Sequence, residues 1–307
     1  MRVGIRLPPC RPADEMADAA RRAEDLGFDD VWIPDSQTLW RDAYVTLACA
    51  ALRTTRVRLG TAVTNLVTRH PSVVAAAART VAELAPDRFV LGVGVGNSSV
   101  EPIGLRSSTT AELRAGVAAL RDATPGVPVH VAASGPRNLA VGGELGDGVI
   151  LLAGASVPLV EAALATVGAH GAPAEVTVSA FCQVTDDLER DARALKPVCA
   201  AMAQKGGAGA LAAAGIDVEV PRRVPEVTPD LLHAEDWAHA VEVCSAWVSD
   251  ADAVRFAREF CLYGTAVEIA DRMAGLERLG VTGVLLQHVG SYTLPHELME
   301  SLGKVLA

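Results

Sequence analysis

Aromatic side chains are scarce in this sequence of 307 residues: they make up 4% of it, although half of the residues are hydrophobic. The core must therefore be built from Ala, Val and Leu. Such a core is typical of parallel strands that are buried on both faces and covered by Ala-rich helices. Positive charge is also in deficit, since the formal net charge is −10. This sign argues against a nucleic acid or an anionic membrane as the partner.

Cysteine pairs and long apolar segments are missing as well. The six cysteines are scattered and form no CxxC motif, which argues against a disulfide framework or a zinc site. Residues 1–12 contain no apolar core long enough for a signal peptide. The longest apolar run, 148–160, is too short to cross a bilayer. We therefore expect a cytoplasmic protein that holds no metal.

Strand-like and helical stretches alternate along most of the chain, and this alternation predicts a parallel sheet. Eight strands are predicted at 2–7, 30–33, 57–63, 89–95, 127–132, 147–152, 175–184 and 281–289. Helices are predicted between them at 15–26, 44–53, 72–84, 109–121, 136–145, 158–167 and 267–279. This order predicts one α/β domain over residues 1–307, a (β/α)8 TIM barrel.

One region interrupts the alternation. About 95 residues separate the seventh and eighth predicted strands, far more than a usual crossover needs. A helical insertion at about 186–260 is predicted there, with helices at 186–214 and 234–260 and a Pro-rich connection at 221–229. A long insertion on this side of a barrel is either a lid that selects substrates or a module for dimerisation or stability. The sequence leaves both open.

Polar side chains that follow the strands are the candidates for catalysis, because barrel active sites lie at the carboxyl ends of the strands. Asp35 follows the second strand, where it can accept a proton, orient a substrate or cap a turn. His70 follows the third strand and is a candidate proton donor or a helix cap, and His288 lies at the end of the eighth. Trp40 and Gln287 are the candidate substrate contacts, Trp40 by stacking on a planar ligand or else by packing.

Glycines and helix starts mark candidate binding surfaces. Gly92, Gly94 and Gly96 do not match a dinucleotide fingerprint, but small residues at a strand end let a flat ring approach the backbone. Tight packing in the barrel is the alternative for Gly92. Gly135 and Pro136 open a helix, whose free N–H groups suit a phosphate, although a plain turn explains them equally well.

No P-loop, metal-ligand cluster or Ser/His/Asp order is evident, and an enzyme of this kind usually takes its chemistry from a cofactor. Three segments together carry a resemblance to a family: LGTAVTNLVTRHP, DRFVLGVGVGN and VAASGPRNLAVGGELGDGVIL. They resemble the bacterial luciferase-like superfamily, above all its coenzyme F420-dependent branch, which includes methylenetetrahydromethanopterin reductase-like proteins. The resemblance covers about residues 1–184 and 262–307.

The resemblance implies a barrel that binds a flavin or a 5-deazaflavin at the carboxyl ends of its strands. It also implies a non-prolyl cis peptide in the third strand, which here falls at Ala62–Val63, behind the ring. The tricyclic ring is then expected near Thr64, Asn65, Gly96 and Asn97. The phosphate of the cofactor is expected near Ser134, Gly135, Gly154, Ala155 and Ser156.

The same resemblance matches Asp35 to an acidic residue of F420 enzymes. Ser36 and Asn97 stand where F420-dependent glucose-6-phosphate dehydrogenases carry a histidine and a glutamate, so oxidation of a sugar phosphate is not expected. The predicted function is a coenzyme F420-dependent oxidoreductase, a reductase that transfers a hydride from C5 to a small organic substrate. The alternatives are an FMN-dependent monooxygenase and a non-catalytic flavin-binding barrel. Dimers are common in the family, so a homodimer is expected.

Overall fold

Eight parallel strands close into a barrel in this computed structural model, which describes residues 1–306. In chain order the strand segments are β1 (Arg2–Arg6), β2 (Asp30–Ile33), β3 (Arg58–Thr61), β4 (Thr64–Asn65), β5 (Phe89–Gly94), β6 (Val129–Ala133), β7 (Gly148–Leu151), β8 (Glu175–Val184), β9 (Leu262–Gly264) and β10 (Gly283–Gln287). β3 and β4 are two segments of one barrel strand, and among the described residues β9 pairs only with the end of β8, outside the ring. β10 pairs with both β1 and β8 and so closes the ring. The predicted (β/α)8 barrel is confirmed.

Helices cover the outside of this barrel. They are α1 (Ala13–Asp25), α2 (Ala43–Arg53), α3 (Pro71–Leu84), α4 (Thr110–Ala123), α5 (Pro136–Leu145), α6 (Val157–Gly168), α12 (Ala266–Arg278) and α13 (His296–Leu306). Local sequence sets several of their starts. At α4, Thr109 and Glu112 satisfy each other's backbone N–H groups in a capping box. Within residues 1–306, no helix has both the length and the apolar character needed to cross a membrane.

The third strand differs from its prediction. One strand was expected over 57–63, but β3 ends at Thr61 and a second strand segment, β4, begins at Thr64 after a gap of two residues. The peptide bond between Ala62 and Val63 is cis, as the resemblance implies. β4 still pairs with β5, through Thr64 and Val93, so the interruption reshapes the strand without removing it from the barrel.

The insertion follows β8 and contains five short helices: α7 (Leu188–Asp191), α8 (Lys196–Met202), α9 (Ala208–Ala213), α10 (Trp237–Cys244) and α11 (Asp250–Phe260). The single helix expected over 186–214 is broken at Lys205 and Gly206, because Gly206 adopts a φ of 88°, a value that ends regular helical geometry. The insertion has a buried cluster of its own, in which the rings of Phe256 and Phe260 stack at 5.0 Å.

β9 is an element that the sequence analysis missed. This three-residue strand pairs with the end of β8, with Leu262 opposite Cys182, and Tyr263 belongs to the core of the insertion. β9 therefore fastens the insertion to the barrel at the carboxyl end of β8. Its shortness explains the miss, since three residues show no periodicity.

The amino-terminal half of the barrel interior holds a buried histidine. His130 on β6 is 1% exposed, packs against Trp32, and has no hydrogen-bond partner for either ring nitrogen within the described chain. Burial lowers its pKa from 6.5 to about 4, and the nearby charge of Arg58 adds to this effect while that of Glu175 opposes it. His130 is therefore neutral in the native protein at pH 7.

This burial predicts a loss of stability in acid. Between pH 6.5 and pH 4, His130 is protonated in the unfolded chain but stays neutral in the folded chain. Stability is therefore full above pH 6.5 and falls as the pH decreases, by up to about 3 kcal/mol at His130. Urea unfolding of a His130→Phe variant at pH 7 and pH 4.5 should show a clearly smaller difference than in the wild type. His239→Phe, at an exposed position of α10, is the control, and equal differences in all three proteins would contradict the prediction.

Candidate active site

A cavity of about 300 Å³ lies at the carboxyl ends of the barrel strands, a size at the lower end of the range for small-molecule sites. All eight strands of the barrel contribute to it directly or through the loop that follows them, and the insertion covers one side. The lining residues that matter for the chemistry are Arg6, Asp35, Trp40, Ala62, Val63, Gly94, Gly96, Asn97, Ala132, Ser134, Asn138, Ser179, Lys205, His233 and Gln287.

One wall of the cavity is built from small residues. Ala62 and Val63 meet Gly94 at the end of β5 and Ala132 on β6. Gly94 is required there, because a Cβ atom on it would come within 2.7 Å of Cγ2 of Val63. Gly96 has a φ of 84°, which favours glycine, and a Cβ atom on it would come within 2.7 Å of Cβ of Asn65, so this loop packs closely only with glycine here. A flat ring fits such a wall.

Asp35 lies at the cavity as a fully engaged carboxylate. Its Oδ2 accepts hydrogen bonds from Oγ1 of Thr64 at 2.7 Å and Nε of Arg69 at 2.8 Å, and its Oδ1 accepts one from Nη2 of Arg69 at 3.0 Å. Arg69 also binds Asp42 at 2.8 Å. Burial disfavours the charge of Arg69, but the hydrogen bonds to the two carboxylates outweigh it and raise the Arg69 pKa. Asp35 is thus held as a fixed negative charge beside the cavity.

Asn65 and Thr64 lie behind the cavity and do not line it. Both are fully buried, and Thr64 acts through its hydrogen bond to Asp35. Nδ2 of Asn65 donates to Oγ of Ser99 at 2.9 Å, and Nε2 of Gln37 donates to the Ser99 carbonyl at 2.6 Å. These contacts join the loops that follow β2, β4 and β5. Asn65 was predicted to contact the ring; in the structure it holds the loop that carries Gly96 and Asn97.

The start of α5 reaches the cavity through Ser134 and Asn138. Pro136 is the first residue of this helix, and Gly135 precedes it without a side-chain cap. Ser134 is exposed and lines the cavity, whereas Gly135 and Pro136 lie just beyond the lining. Uncapped N–H groups at a helix start are suited to an anion. Asn138, the third residue of the helix, was not predicted from the sequence.

The second predicted phosphate contact is not available in the structure. Ala155 and Ser156 donate their N–H groups to the carbonyl of Glu259, at the end of α11, at 2.9 Å each. Gly154 packs against Leu159 and Phe260 instead of facing the cavity. The insertion therefore occupies the start of α6. Because the insertion shows no recognisable motif, this contact was not apparent from the sequence.

Two predicted proton donors do not line the cavity. His70 is exposed and caps α3, because its Nδ1 accepts the N–H of Ser72 at 3.2 Å. His288 lies near Thr293, with Nε2 and Oγ1 3.3 Å apart, and burial lowers its pKa to about 4. Trp40 and Gln287, the two predicted substrate contacts, do line the cavity.

Two cavity residues with strong chemistry were missed. His233 in the insertion is buried, and its Nδ1 lies 2.9 Å from Oδ2 of Asp230. Burial lowers the pKa of His233, the hydrogen bond to Asp230 opposes that effect, and the charge of Arg6 adds to it. Arg6 is the second missed residue. Its signal was present in the sequence, as a charged residue at the carboxyl end of a strand whose interior, residues 3–5, is apolar.

Comparisons with known proteins agree with this geometry. The family model described as luciferase-like monooxygenase matches residues 1–124 and 108–283. A 5,10-methylenetetrahydromethanopterin reductase from Archaeoglobus fulgidus is 26% identical over 93% of this chain and 92% of its own length. An F420-dependent glucose-6-phosphate dehydrogenase from Kineococcus radiotolerans is 34% identical over 47% of this chain and 54% of its own.

A solved structure gives the same fold. The coenzyme F420-dependent tetrahydromethanopterin reductase from Methanopyrus kandleri superimposes with a TM-score of 0.78, covering 99% of this chain and 97% of the other. The two sequences are 20% identical, so this likeness supports the architecture alone.

Proposed function

Since the chain belongs to the luciferase-like monooxygenase family, we propose that it is a coenzyme F420-dependent oxidoreductase that reduces a small organic substrate. The observation that carries this proposal is the wall of small residues at Ala62, Val63, Gly94 and Gly96, which faces a cavity beside the charge of Asp35. Similarity to an F420-dependent glucose-6-phosphate dehydrogenase over 47% of this chain supports F420 over FMN.

The residues of the cavity fit such a cofactor. The small-residue wall leaves room for a tricyclic ring, and a single Cβ atom at Gly94 would close part of that room. Ser134, Asn138 and the uncapped start of α5 would hold an anionic group of the tail. When bound, the deazaflavin supplies hydride transfer at its C5.

The protein's own side chains would then orient the reactants and move a proton. Asp35 accepts three hydrogen bonds, so we assign it to orientation and electrostatics. Of the histidines, His233 is the one that lines the cavity, and Asp230 fixes its ring through Nδ1. This contact leaves Nε2 for proton exchange with the substrate. We therefore transfer the proton-carrying role from His70 and His288 to His233.

A cofactor titration tests the proposal. Fluorescence titration of the purified protein with F420 and with FMN should give a Kd for F420 at least tenfold below that for FMN, a difference of about 1.4 kcal/mol. Oxidation of reduced F420 should then occur with some member of a panel of C=C, C=N and C=O compounds. Binding of FMN with no response to F420 would refute the proposal and support the monooxygenase alternative. Binding of F420 without any turnover would support a non-catalytic barrel.

A homodimer is part of the same proposal. Val45 and Leu52 are seven residues apart on α2, so they share one helix face, and both side chains are more than half exposed. Val73, near the start of α3, is also exposed. Exposed apolar residues on adjacent helices support an interface between two copies of the chain.

A further inference from the structure

Arg6 is a buried cation that has no partner in the described chain. Its side chain is at the carboxyl end of β1, is 8% exposed and lines the cavity. Within residues 1–306 its guanidinium forms no salt bridge, although Arg2 and Arg58 at the opposite end of the barrel both bind Asp30. Burial lowers the pKa of Arg6 to about 10. A buried arginine is expected to be paired, because an isolated charge is costly away from water.

The neighbours of Arg6 do not neutralise it. Its guanidinium carbon lies 5.1 Å from the centre of the Trp40 ring, a cation–π contact that offsets part of the cost of burial. The His233 ring lies edge-on to the Trp40 ring, with the two ring centres 5.6 Å apart. Lys205, at the kink of the insertion, adds a second positive charge at the cavity.

The carboxylates at this cavity are already engaged elsewhere. Asp35 is bound bidentately by Arg69, and Asp230, which lies behind His233, is bound by that histidine. Neither forms an ion pair with Arg6 or Lys205. Among residues 1–306, Arg6 therefore has no carboxylate in an ion pair with it, although Lys205 acts on the charge of Asp230 from beyond ion-pair distance.

The structure holds this arrangement in place. Nε1 of Trp40 donates to the carbonyl of Ser291 at 2.6 Å, and Oγ of Ser291 donates to the carbonyl of Leu232 at 3.3 Å. These bonds connect the loop after β2, the loop after β10 and the insertion. Trp40 is therefore fixed through its ring nitrogen, and His233 directly follows Leu232, whose carbonyl accepts from Ser291.

The order of the strands separates this region from the proposed cofactor contacts. In the closed ring β1 is followed by β2, β3 and β5 before β6 is reached, so β1 and β6 face each other across the eight-stranded barrel. Ser134 and the start of α5 follow β6. Arg6 thus lies across the barrel from the residues that would hold the tail of the cofactor.

We propose that Arg6, with Trp40 and Lys205, forms a subsite for an oxyanion of the substrate, a carboxylate or a phosphate. The inference rests on the proposed function, because that function is what makes the bound oxyanion part of a substrate. It deepens the proposed function by naming the substrate class as anionic. Arg6 presents its guanidinium donors to the oxyanion, Trp40 holds the guanidinium plane, and Lys205 attracts the anion at the cavity mouth. The insertion supplies Lys205 and thereby completes the subsite.

Binding of small oxyanions to the F420-loaded protein tests this proposal. The probes are succinate for a carboxylate and inorganic phosphate, each titrated while the thermal midpoint and the F420 fluorescence are recorded. One of the two should raise the midpoint of the wild type. Arg6→Met should weaken that binding by about 10- to 100-fold, the loss expected for hydrogen bonds from a charged donor. Arg6→Lys should give an intermediate affinity.

Matched measurements separate this role from others. Arg41→Met removes an exposed arginine from the loop that carries Trp40, and it should leave oxyanion binding unchanged. Without any probe, Arg6→Met should unfold at the same temperature as the wild type or above it, because it removes an unpaired buried charge. Loss of stability in this variant, or unchanged oxyanion affinity, would overturn the proposal.

The cofactor titration keeps the two proposals apart. The Kd for F420 should be the same in Arg6→Met and in the wild type, and a parallel loss of F420 affinity would overturn the subsite by assigning Arg6 to the cofactor. If the wild type binds no F420, the oxyanion titration is run on the protein alone. Arg6-dependent binding would then support the anion site while the proposed function fails.

Discussion

A Gly94→Val variant should lose F420 binding by at least 100-fold, the largest effect that we expect from a single change at the cavity. Gly94 ends β5 and lies in the small-residue wall. Its added Cβ would lie 2.7 Å from Cγ2 of Val63 and 3.8 Å from Cβ of Ala132. The two methyl groups of the new valine would therefore crowd the small-residue wall between Val63 and Ala132. A 100-fold loss corresponds to about 2.7 kcal/mol. Fluorescence titration with F420 measures it.

The control for this variant is Gly168→Val at the exposed end of α6, where an added Cβ meets no atom within 4 Å. Both variants carry the same substitution, and only Gly94→Val alters the cavity. Circular dichroism and the thermal midpoint must show that Gly94→Val is folded. A folded Gly94→Val protein with the F420 affinity of the wild type would show that the ring does not lie against this wall.

The barrel could be predicted because its determinants are local and repeated. Each strand is a short run of apolar residues followed by a helix, and the closing partner of β1 is simply the last such strand. The residues at the strand ends, including Asp35 and Gly96, could be placed near the site by the same reasoning. The break at Ala62–Val63 came from the family resemblance, since no periodicity indicates it.

The insertion could not be predicted in the same way, and it determines much of the site. His233 and Lys205 reach the cavity from a segment whose course depends on long-range packing against β9. The carbonyl of Glu259 covers the N–H groups of Ala155 and Ser156, so a loop that looked suited to a phosphate is already occupied. Local pattern shows which groups a loop offers. It does not show which distant segment takes them.

Arg6 illustrates a further limit of local pattern. Its charge near the end of an apolar strand was visible in the sequence, but its lack of a carboxylate partner is a property of the assembled barrel. Asp35, the acidic residue of the neighbouring loop, could have served as that partner. Asp35 binds Arg69 instead, so Arg6 has no ion pair within the described residues, as the proposed oxyanion subsite requires.

The pairing of Asp35 with Arg69 gives the second large expected effect. Asp35→Ala should lower the free energy of unfolding by about 3 kcal/mol, because it leaves a partly buried Arg69 with Asp42 alone. Replacing both partners, as in Asp35→Leu with Arg69→Met, should recover more than half of that loss, since no charge is then left without its partner. Urea unfolding at pH 7 measures both variants against the wild type.

The same variants distinguish a structural role of Asp35 from a functional one. If Asp35 orients the reactants, the double variant should regain stability and still have an F420 turnover at least tenfold below the wild type. Glu300→Ala removes one half of an exposed ion pair with Arg22 and should cost less than about 1 kcal/mol, which calibrates the measurement. Recovery of turnover together with stability in the double variant would show that the charge of Asp35 serves the fold alone.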